Sequence, residues 1–102
     1  MVGANSMVVG FGKIVLRIPG NDSLKGKRKV VKSIISRLQN GFNVSVAEVG
    51  ANNIHQRAEI GLAFVGNDRR LINSKLDKAL NLVDDLQLAE IVDTDLEIIN
   101  VS

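Results

Sequence analysis

The sequence predicts an α+β fold in which two helices cover one face of a four-stranded antiparallel sheet. Two long segments repeat their apolar residues at helical spacing, and four other segments alternate apolar and polar residues as strands do. The order of these segments along the chain is βαββαβ. That order is typical of the ferredoxin-like two-layer sandwich, in which right-handed crossovers give the strand order 4-1-3-2.

The first strand is predicted over residues 8–18, which alternate and are rich in β-branched residues. Ile14, Leu16 and Ile18 fall on one face and are expected to point into the core. The opposite face carries Phe11, Lys13, Val15 and Arg17. Residues 19–22, with the sequence Pro-Gly-Asn-Asp, end the strand in a turn.

The first helix is predicted over residues 24–40. Ser23 is a natural N-cap, because its hydroxyl can accept a hydrogen bond from an N–H group of the first turn. Gly41 is expected to cap the C-terminus. Gly26 weakens the first turn by roughly 1 kcal/mol relative to Ala, which is tolerable where another group approaches the backbone closely. The apolar stripe of the helix consists of Leu24, Val31, Ile34, Ile35 and Leu38.

Two strands follow, predicted over residues 42–49 and 57–65 and separated by the turn sequence Gly-Ala-Asn-Asn at residues 50–53. Val44 and Val46 are expected to face inward from the second strand. The inward face of the third strand consists of Ala58, Ile60, Leu62 and Phe64. These two strands are therefore expected to form a hairpin.

The second helix is predicted over residues 69–86, after a Gly-Asn-Asp sequence that ends the third strand and caps the helix. Its buried stripe consists of Ile72, Leu76, Ala79, Leu80 and Val83. The last strand is predicted over residues 89–99. Its inward residues are Val92, Thr94, Leu96 and Ile98. Its outward acids are Asp93, Asp95 and Glu97.

Length and composition predict a single globular domain over residues 7–102, with residues 1–6 as an N-terminal tail or a remnant of cloning. The chain is 45% hydrophobic and 24% charged but contains no cysteine, so disulfides and thiolate metal sites are excluded. This composition is compatible with the reducing cytoplasm, where we expect the protein to reside. No apolar run reaches the roughly 18–20 residues of a membrane span, so we expect no membrane partner.

The most unusual stretch is the start of the first helix, where residues 23–32 contain five of the 13 Lys and Arg residues. A helix N-terminus carries partial positive charge, so each cation there costs about 0.3–1 kcal/mol unless a partner supplies negative charge. We predict a nucleic-acid-binding site formed by Lys25, Lys27, Arg28, Lys29, Lys32 and Arg57. Candidate polar contacts in the neighbouring hairpin are Asn52, Asn53, His55 and Gln56.

The negative charge that offsets these cations can come from an acidic part of the chain or from an external polyanion. Residues 13–37 hold eight Lys or Arg against one acid, whereas residues 77–97 hold seven acids against one base. In the predicted topology, the start of the first helix, the hairpin and the end of the second helix share one edge. Asp84 and Asp85 can therefore neutralise part of the basic stretch. The same edge gathers five cations, which are Lys25, Lys27, Arg28, Lys29 and Arg57. Because they outnumber these two acids, we favour an external polyanion.

No motif in the sequence indicates an enzyme. Residues 20–27 resemble a phosphate-binding loop, but the spacer is one residue too long and Arg28 replaces the hydroxyl that binds Mg²⁺. His55 is the only histidine and cannot form a zinc site alone. We therefore expect neither catalysis nor a cofactor.

The acids of the last strand do not indicate a metal site either. Neighbours on one strand face are about 6.5–7 Å apart, which is wide for a single ion. Because the first and last strands should be adjacent, these acids are expected to pair with Lys13 and Arg17.

The outward face of the sheet lacks the aromatic residues needed to bind RNA by stacking of bases. RNA-binding sheets of this topology stack bases on aromatic residues of the first and third strands. Here the first strand offers Phe11 and the third strand offers none, and no G-x-x-G clamp occurs. Binding is therefore expected to use phosphate contacts and to be largely independent of base sequence.

The same face also predicts a homodimer, because apolar residues are mixed with its charges and such faces often meet another chain. These apolar residues are Val9, Phe11, Val15, Ala47 and Ala63.

Several short segments match the pattern of a known bacterial family. They are residues 16–20 (LRIPG), 23–25 (SLK), 27–28 (KR), 42–48 (FNVSVAE), 56–58 (QRA) and 67–68 (ND). With these segments, residues 7–99 resemble the YlxP-like family, a domain family of unknown function. The chain departs from the family pattern at residues 50–53 and at His55, where the family often has Trp. The resemblance implies a ferredoxin-like fold and a link to ribosome maturation or translation, and it implies no catalytic residues.

These observations together predict a small non-enzymatic protein that binds the phosphate backbone of RNA through a basic helix N-terminus. The expected partner is ribosomal RNA or a ribosomal subunit. The alternative is a protein-interaction or regulatory homodimer whose basic helix only pairs with acidic segments.

Overall fold

The four strands form one antiparallel sheet in the order β2-β3-β1-β4, as a computed structural model describes it over residues 6–101. The elements are β1 (Met7–Arg17), α1 (Leu24–Gly41), β2 (Ser45–Gly50), β3 (Arg57–Gly66), α2 (Arg69–Asp85) and β4 (Glu90–Val101). Both helices pack on the same face of the sheet, which confirms the predicted ferredoxin-like fold. Residues 1–5 of the predicted tail and residue 102 lie outside the described residues.

The core lies between the two helices and the inner face of the sheet. Every residue predicted to face inward from β1 and β3 is at most 5% exposed. Burial of each large aliphatic or aromatic side chain of this kind contributes about 1.5–3 kcal/mol. α2 lies close to β1 at Gly10, where a Cβ atom would overlap the side chain of Ile72. No helix in the described part of the chain is both long and apolar enough to cross a membrane.

The junction between α1 and β2 differs from the prediction. α1 continues through Gly41, and the C-cap is Phe42 in an extended conformation, with its N–H donating to the Leu38 carbonyl. The ring of Phe42 packs edge-on against Phe64 in the core, with ring centroids 5.8 Å apart. Because Phe42 caps the helix and fills the core, strand pairing starts only at Ser45.

β4 contains an irregularity that shifts its register. Val15 of β1 faces Asp93, whereas the next residue, Leu16, faces Ile91. Val92 is therefore an extra residue at a β-bulge and is 47% exposed, so its prediction as an inward residue was wrong. Ile91 packs against the core instead.

The outward face is also less open than predicted at one position. Val15 lies in a central strand, between Glu59 of β3 and Asp93 of β4. It is only 5% exposed, so it does not belong to the accessible apolar surface of the sheet.

Candidate functional site

Four of the predicted cations form one exposed row on α1. They occupy positions i, i+3, i+4 and i+7 of the helix and therefore share one face. We call this row the α1 cation stripe, and it consists of Lys25, Arg28, Lys29 and Lys32. Among residues 6–101, no carboxylate lies within ion-pair distance of any of the four. The first turn of α1 contains no acidic residue.

The N-terminus of α1 is capped by the chain itself. The Ser23 hydroxyl accepts a hydrogen bond from the backbone N–H of Gly26 at 3.0 Å. A Cβ atom at residue 26 would overlap Oδ1 of Asn21, which explains the glycine at this position. The close approach that the sequence predicted at Gly26 therefore comes from Asn21.

Lys27 does not belong to the exposed surface, which corrects its prediction as a nucleic-acid contact. Its side chain is 2% exposed, and its ammonium donates to the carbonyl of Ala51 and lies 3.2 Å from Oε2 of Glu48. The ion pair offsets the charge of this buried carboxylate oxygen without completing a hydrogen bond to it. Lys27 precedes the buried Val31 by four residues, and this spacing turns it inward.

Arg57 is also separated from the α1 cation stripe. Its neighbour Ala58 is buried beneath the helices, and successive strand residues point to opposite faces. Arg57 therefore projects from the sheet face that has no helices, which we call the open face. There its Nε atom lies 3.3 Å from Oε2 of Glu59. The prediction that Arg57 joins the helix cations was wrong for this reason.

The hairpin residues do lie beside the start of α1, as predicted. Asn21 connects the two regions: its side-chain amide donates to the carbonyl of His55, and its own carbonyl accepts from Nε2 of Gln56 at 2.9 Å. The side chain of Gln56 is thus engaged in holding the hairpin. The side chains of Asn52, Asn53 and His55 are exposed.

The end of α2 reaches the same edge of the domain. Pro19 from the β1–α1 turn and Asp84 line one small cavity of about 300 Å³. Neither Asp84 nor Asp85 forms an ion pair with a cation in the part of the chain that the structure describes. Internal neutralisation of the stripe by these acids is therefore not observed.

The charged residues of the open face pair differently from the prediction. Lys13 lies 2.9 Å from Glu59 of β3, and Arg17 lies 2.7 Å from Glu90 of β4. The β4 bulge places Glu90 directly opposite Arg17. The hydrogen bond from Lys13, together with Arg57, holds the pKa of the Glu59 carboxyl below its ordinary value of 4.5. Within the described residues, no group of three or more His, Asp or Glu side chains is placed to hold a metal ion.

The structure shows one feature beside the stripe that the sequence prediction did not include. A groove of about 450 Å³ runs between α1 and β2, and Arg28 and Lys32 line one side of it. Ser36 and Gln39 extend this lining along the helix. The sequence could have predicted this lining, because residues three and four apart lie on the same helix face. Ser36 follows Lys32 by four residues, and Gln39 follows Ser36 by three.

Comparison with known protein families identifies the chain. The family model described as a protein of unknown function, DUF503, matches residues 9–96. The chain belongs to the DUF503 family. A relative of this DUF503 protein, the uncharacterized protein YlxP of Bacillus subtilis (strain 168), is 38% identical over 77 residues. The match covers 76% of this chain and 84% of YlxP, which confirms the predicted resemblance.

Solved structures similar to this DUF503 protein show the fold alone. The de novo designed protein Foldit4 has a TM-score of 0.51 and 16% identity, covering 96% of this chain and 98% of the designed chain. An amidase of the hydantoinase/carbamoylase family from Burkholderia phymatum has a TM-score of 0.51 and 11% identity. It matches 94% of this chain, which spans 29% of the amidase. At these identities neither likeness carries a function to this chain.

Proposed function

We propose that this DUF503 protein is a small non-enzymatic protein that binds the phosphate backbone of RNA through the α1 cation stripe. The observation that supports the proposal is a row of four exposed cations with no ion-pair partner among residues 6–101. Ribosomal RNA is the first partner to test, because the YlxP-like resemblance implies a link to ribosome maturation.

The stripe opposes the stability of its own helix. Each neighbour along it, three or four residues away, is another cation, and each such pair destabilises a helix by about 0.2–0.5 kcal/mol. Lys25, in the first turn, also faces the positive end of the helix dipole. No internal acid relieves this repulsion in the described chain. A bound polyanion would relieve it, whereas water only screens it.

The shape of the stripe favours backbone contacts over base contacts. Lys25 and Lys32 are seven residues apart, or about 10 Å along the helix axis. This length spans about three nucleotides of one strand at roughly 3.4 Å each. Long side chains on a convex helix reach phosphates, whereas base readout needs a groove or a stacking platform. Ser36 and Gln39 supply neutral hydrogen-bonding groups beside the stripe.

The aromatic residues support the same mode of binding. Phe42 and Phe64 pack against each other edge-on, and Phe64 is only 1% exposed. Phe11 is the third and last aromatic residue of the chain apart from His55. A single phenylalanine on the sheet does not form a platform for consecutive bases. Binding should therefore depend on salt concentration much more than on base sequence.

The test compares two triple variants that lose the same net charge. The stripe variant is Arg28→Ala, Lys29→Ala and Lys32→Ala, and it retains Lys27 because that residue is structural. The matched control removes exposed cations outside the stripe and consists of Arg37→Ala, Arg70→Ala and Lys78→Ala. Affinity for purified ribosomal RNA is measured across a salt series. The stripe variant should bind at least roughly 10-fold more weakly, and its log–log salt slope should fall by up to about three.

The control variant should keep a salt slope within about one unit of the wild type. Equal losses in the two variants would show that only net charge matters, and the proposal would then be wrong. Failure of the wild type to bind RNA at low salt would also overturn it. If the stripe instead pairs within the protein, the stripe variant should lose thermal stability while its RNA binding keeps its salt slope. Co-sedimentation with ribosomal particles at low salt, and release at high salt, tests the ribosomal partner directly.

A further inference from the structure

The open face of the sheet gathers most of the exposed large hydrophobic residues. Nine such residues occur among residues 6–101, and five of them lie on this face. They are Met7, Val49, Val65, Ile99 and Val101, which are 41–64% exposed. The strand register brings four of them together at one end of the sheet, because Val9 of β1 has Val65 on one side and Ile99 on the other, and Met7 faces Val101. Val49 of β2 lies apart from these four, beside Gly61. Exposed apolar surface concentrated on one face is typical of an interaction site.

The apolar part of the open face has a depression and a projection on the same strand. Gly61 of β3 leaves a hollow of about 470 Å³, with Phe11 and Ala63 among the residues that line it. The side chain of Val49 borders this hollow, since a Cβ atom at Gly61 would lie 2.9 Å from its Cγ1. Val65, four residues further along β3, is 64% exposed and projects from the same face.

The area of the open face is sufficient for a specific interface. Strands about 4.8 Å apart and about ten residues long, at roughly 3.3 Å per residue, give four strands a face of roughly 600 Å². Two such faces in contact would bury roughly 1,200 Å² in total, which is at the lower end of the range for specific protein interfaces.

The charges of the two exposed surfaces decide which one can meet its own copy. The α1 cation stripe contains no acid, so two stripes would repel each other. On the open face, Lys13, Arg17 and Arg57 each have a carboxylate within 3.3 Å. The unpaired acids of this face among residues 6–101, Asp93, Asp95 and Glu97, lie on the edge strand β4, and Asp95 and Glu97 border the outer side of the Gly61 hollow. In the described chain, the cations of this face are paired and its unpaired acids lie on one edge strand, so the apolar part of the face can pack against itself.

We propose that the open face binds a second copy of this chain around a two-fold axis that crosses β3 at Ala63. Such an axis exchanges positions equally far from Ala63 along the strand. It would place Val65 of each copy over the Gly61 hollow of the other, so that one contact is made twice. This reciprocity is the defining feature of a symmetric dimer interface.

The dimer has a consequence that rests on the proposed function. The helices cover the face of the sheet opposite the interface, so the two α1 cation stripes would point away from each other. One dimer would therefore bind two RNA segments and hold them together, whereas a monomer would bind one.

The oligomeric state is tested with two matched substitutions of exposed apolar residues. Val65→Glu places a charge in the proposed interface, whereas Leu71→Glu places one on α2 at a residue that is 51% exposed. Light scattering should give the wild type and Leu71→Glu a mass of about 22 kDa, twice the chain mass of 11.0 kDa. Val65→Glu should weaken dimerisation at least about 100-fold and give the monomer mass. Equal circular dichroism melts would confirm that both variants fold.

A monomeric wild type at high protein concentration would overturn the proposal, as would equal dissociation by both substitutions. RNA bridging is tested separately, by energy transfer between two differently labelled short RNA duplexes. Val65→Glu should abolish the transfer while keeping the same affinity per chain for one duplex. Transfer that persists in a monomeric variant would contradict the bridging model. A dimer that binds no RNA would refute the proposed function and leave the interface standing.

Discussion

The α1 cation stripe and the open face use the same residue types in opposite ways. Every cation of the open face has a carboxylate within 3.3 Å, and the Lys13–Glu59 pair joins residues 46 positions apart in sequence. No cation of the stripe has such a partner in the described chain. The sheet sets residues from distant strands side by side, whereas the neighbours of each stripe cation along α1 are other cations of the stripe. The cations of the open face thus form ion pairs within the fold, whereas those of the α1 cation stripe face solvent without such pairs among the described residues.

The largest expected effect on stability comes from removing the buried lysine of α1 rather than an exposed one. Lys27→Ala should lower the free energy of unfolding by about 3 kcal/mol, because it leaves the buried Oε2 atom of the Glu48 carboxylate without its ion-pair partner. Lys25→Ala, in the same turn but exposed, should change it by no more than about 0.5 kcal/mol. Chemical denaturation of the two variants measures the difference. If they unfold at the same denaturant concentration, Lys27 is not a structural residue.

A charge reversal in the stripe should separate stability from binding. Lys25→Glu places an acid at the positive end of α1, four residues before Lys29, which is the favourable order for a helical ion pair. The free energy of unfolding should rise by about 0.5–1 kcal/mol, while the affinity for ribosomal RNA falls. Thermal melts and RNA titrations measure both quantities. Lys78→Glu on α2 makes the same change in net charge and should leave RNA affinity nearly unchanged. A loss of stability in Lys25→Glu would argue that an internal acid already compensates this lysine.

The smallest expected effect is a pH dependence on the open face. Because the folded-state pKa of Glu59 lies below its ordinary value of 4.5, its ionised form stabilises the fold at neutral pH. This contribution should disappear as the pH falls through 4.5 toward the lower folded-state pKa. The melting temperatures of wild type and Glu59→Gln should therefore differ most near neutral pH and converge in acid. A constant difference across the pH range would show that the loss does not depend on the charge of Glu59.

Local spacing in the sequence determined the elements and most of the core. Apolar periodicity depends only on residues within one helix or strand, so it assigned the inward residues of β1 and β3 correctly. The same reasoning aligned Lys25, Arg28, Lys29 and Lys32, because three- and four-residue spacing fixes a helix face. Spacing alone also indicates the orientation of two residues that the prediction misplaced. Lys27 keeps the spacing of Val31, and Arg57 alternates with the inward Ala58.

The tertiary structure alone decided which distant residues meet. The spacing of Lys27 indicates burial, but only the packing of α1 against β2 selects Glu48 as its partner. The bulge at Val92 exchanges the inward role with Ile91 and brings Glu90 opposite Arg17. A shift of one residue in strand register moves side chains to the other face, and neither strand encodes that shift by itself. Contacts across strands and between layers depend on register and packing, which belong to the folded chain as a whole.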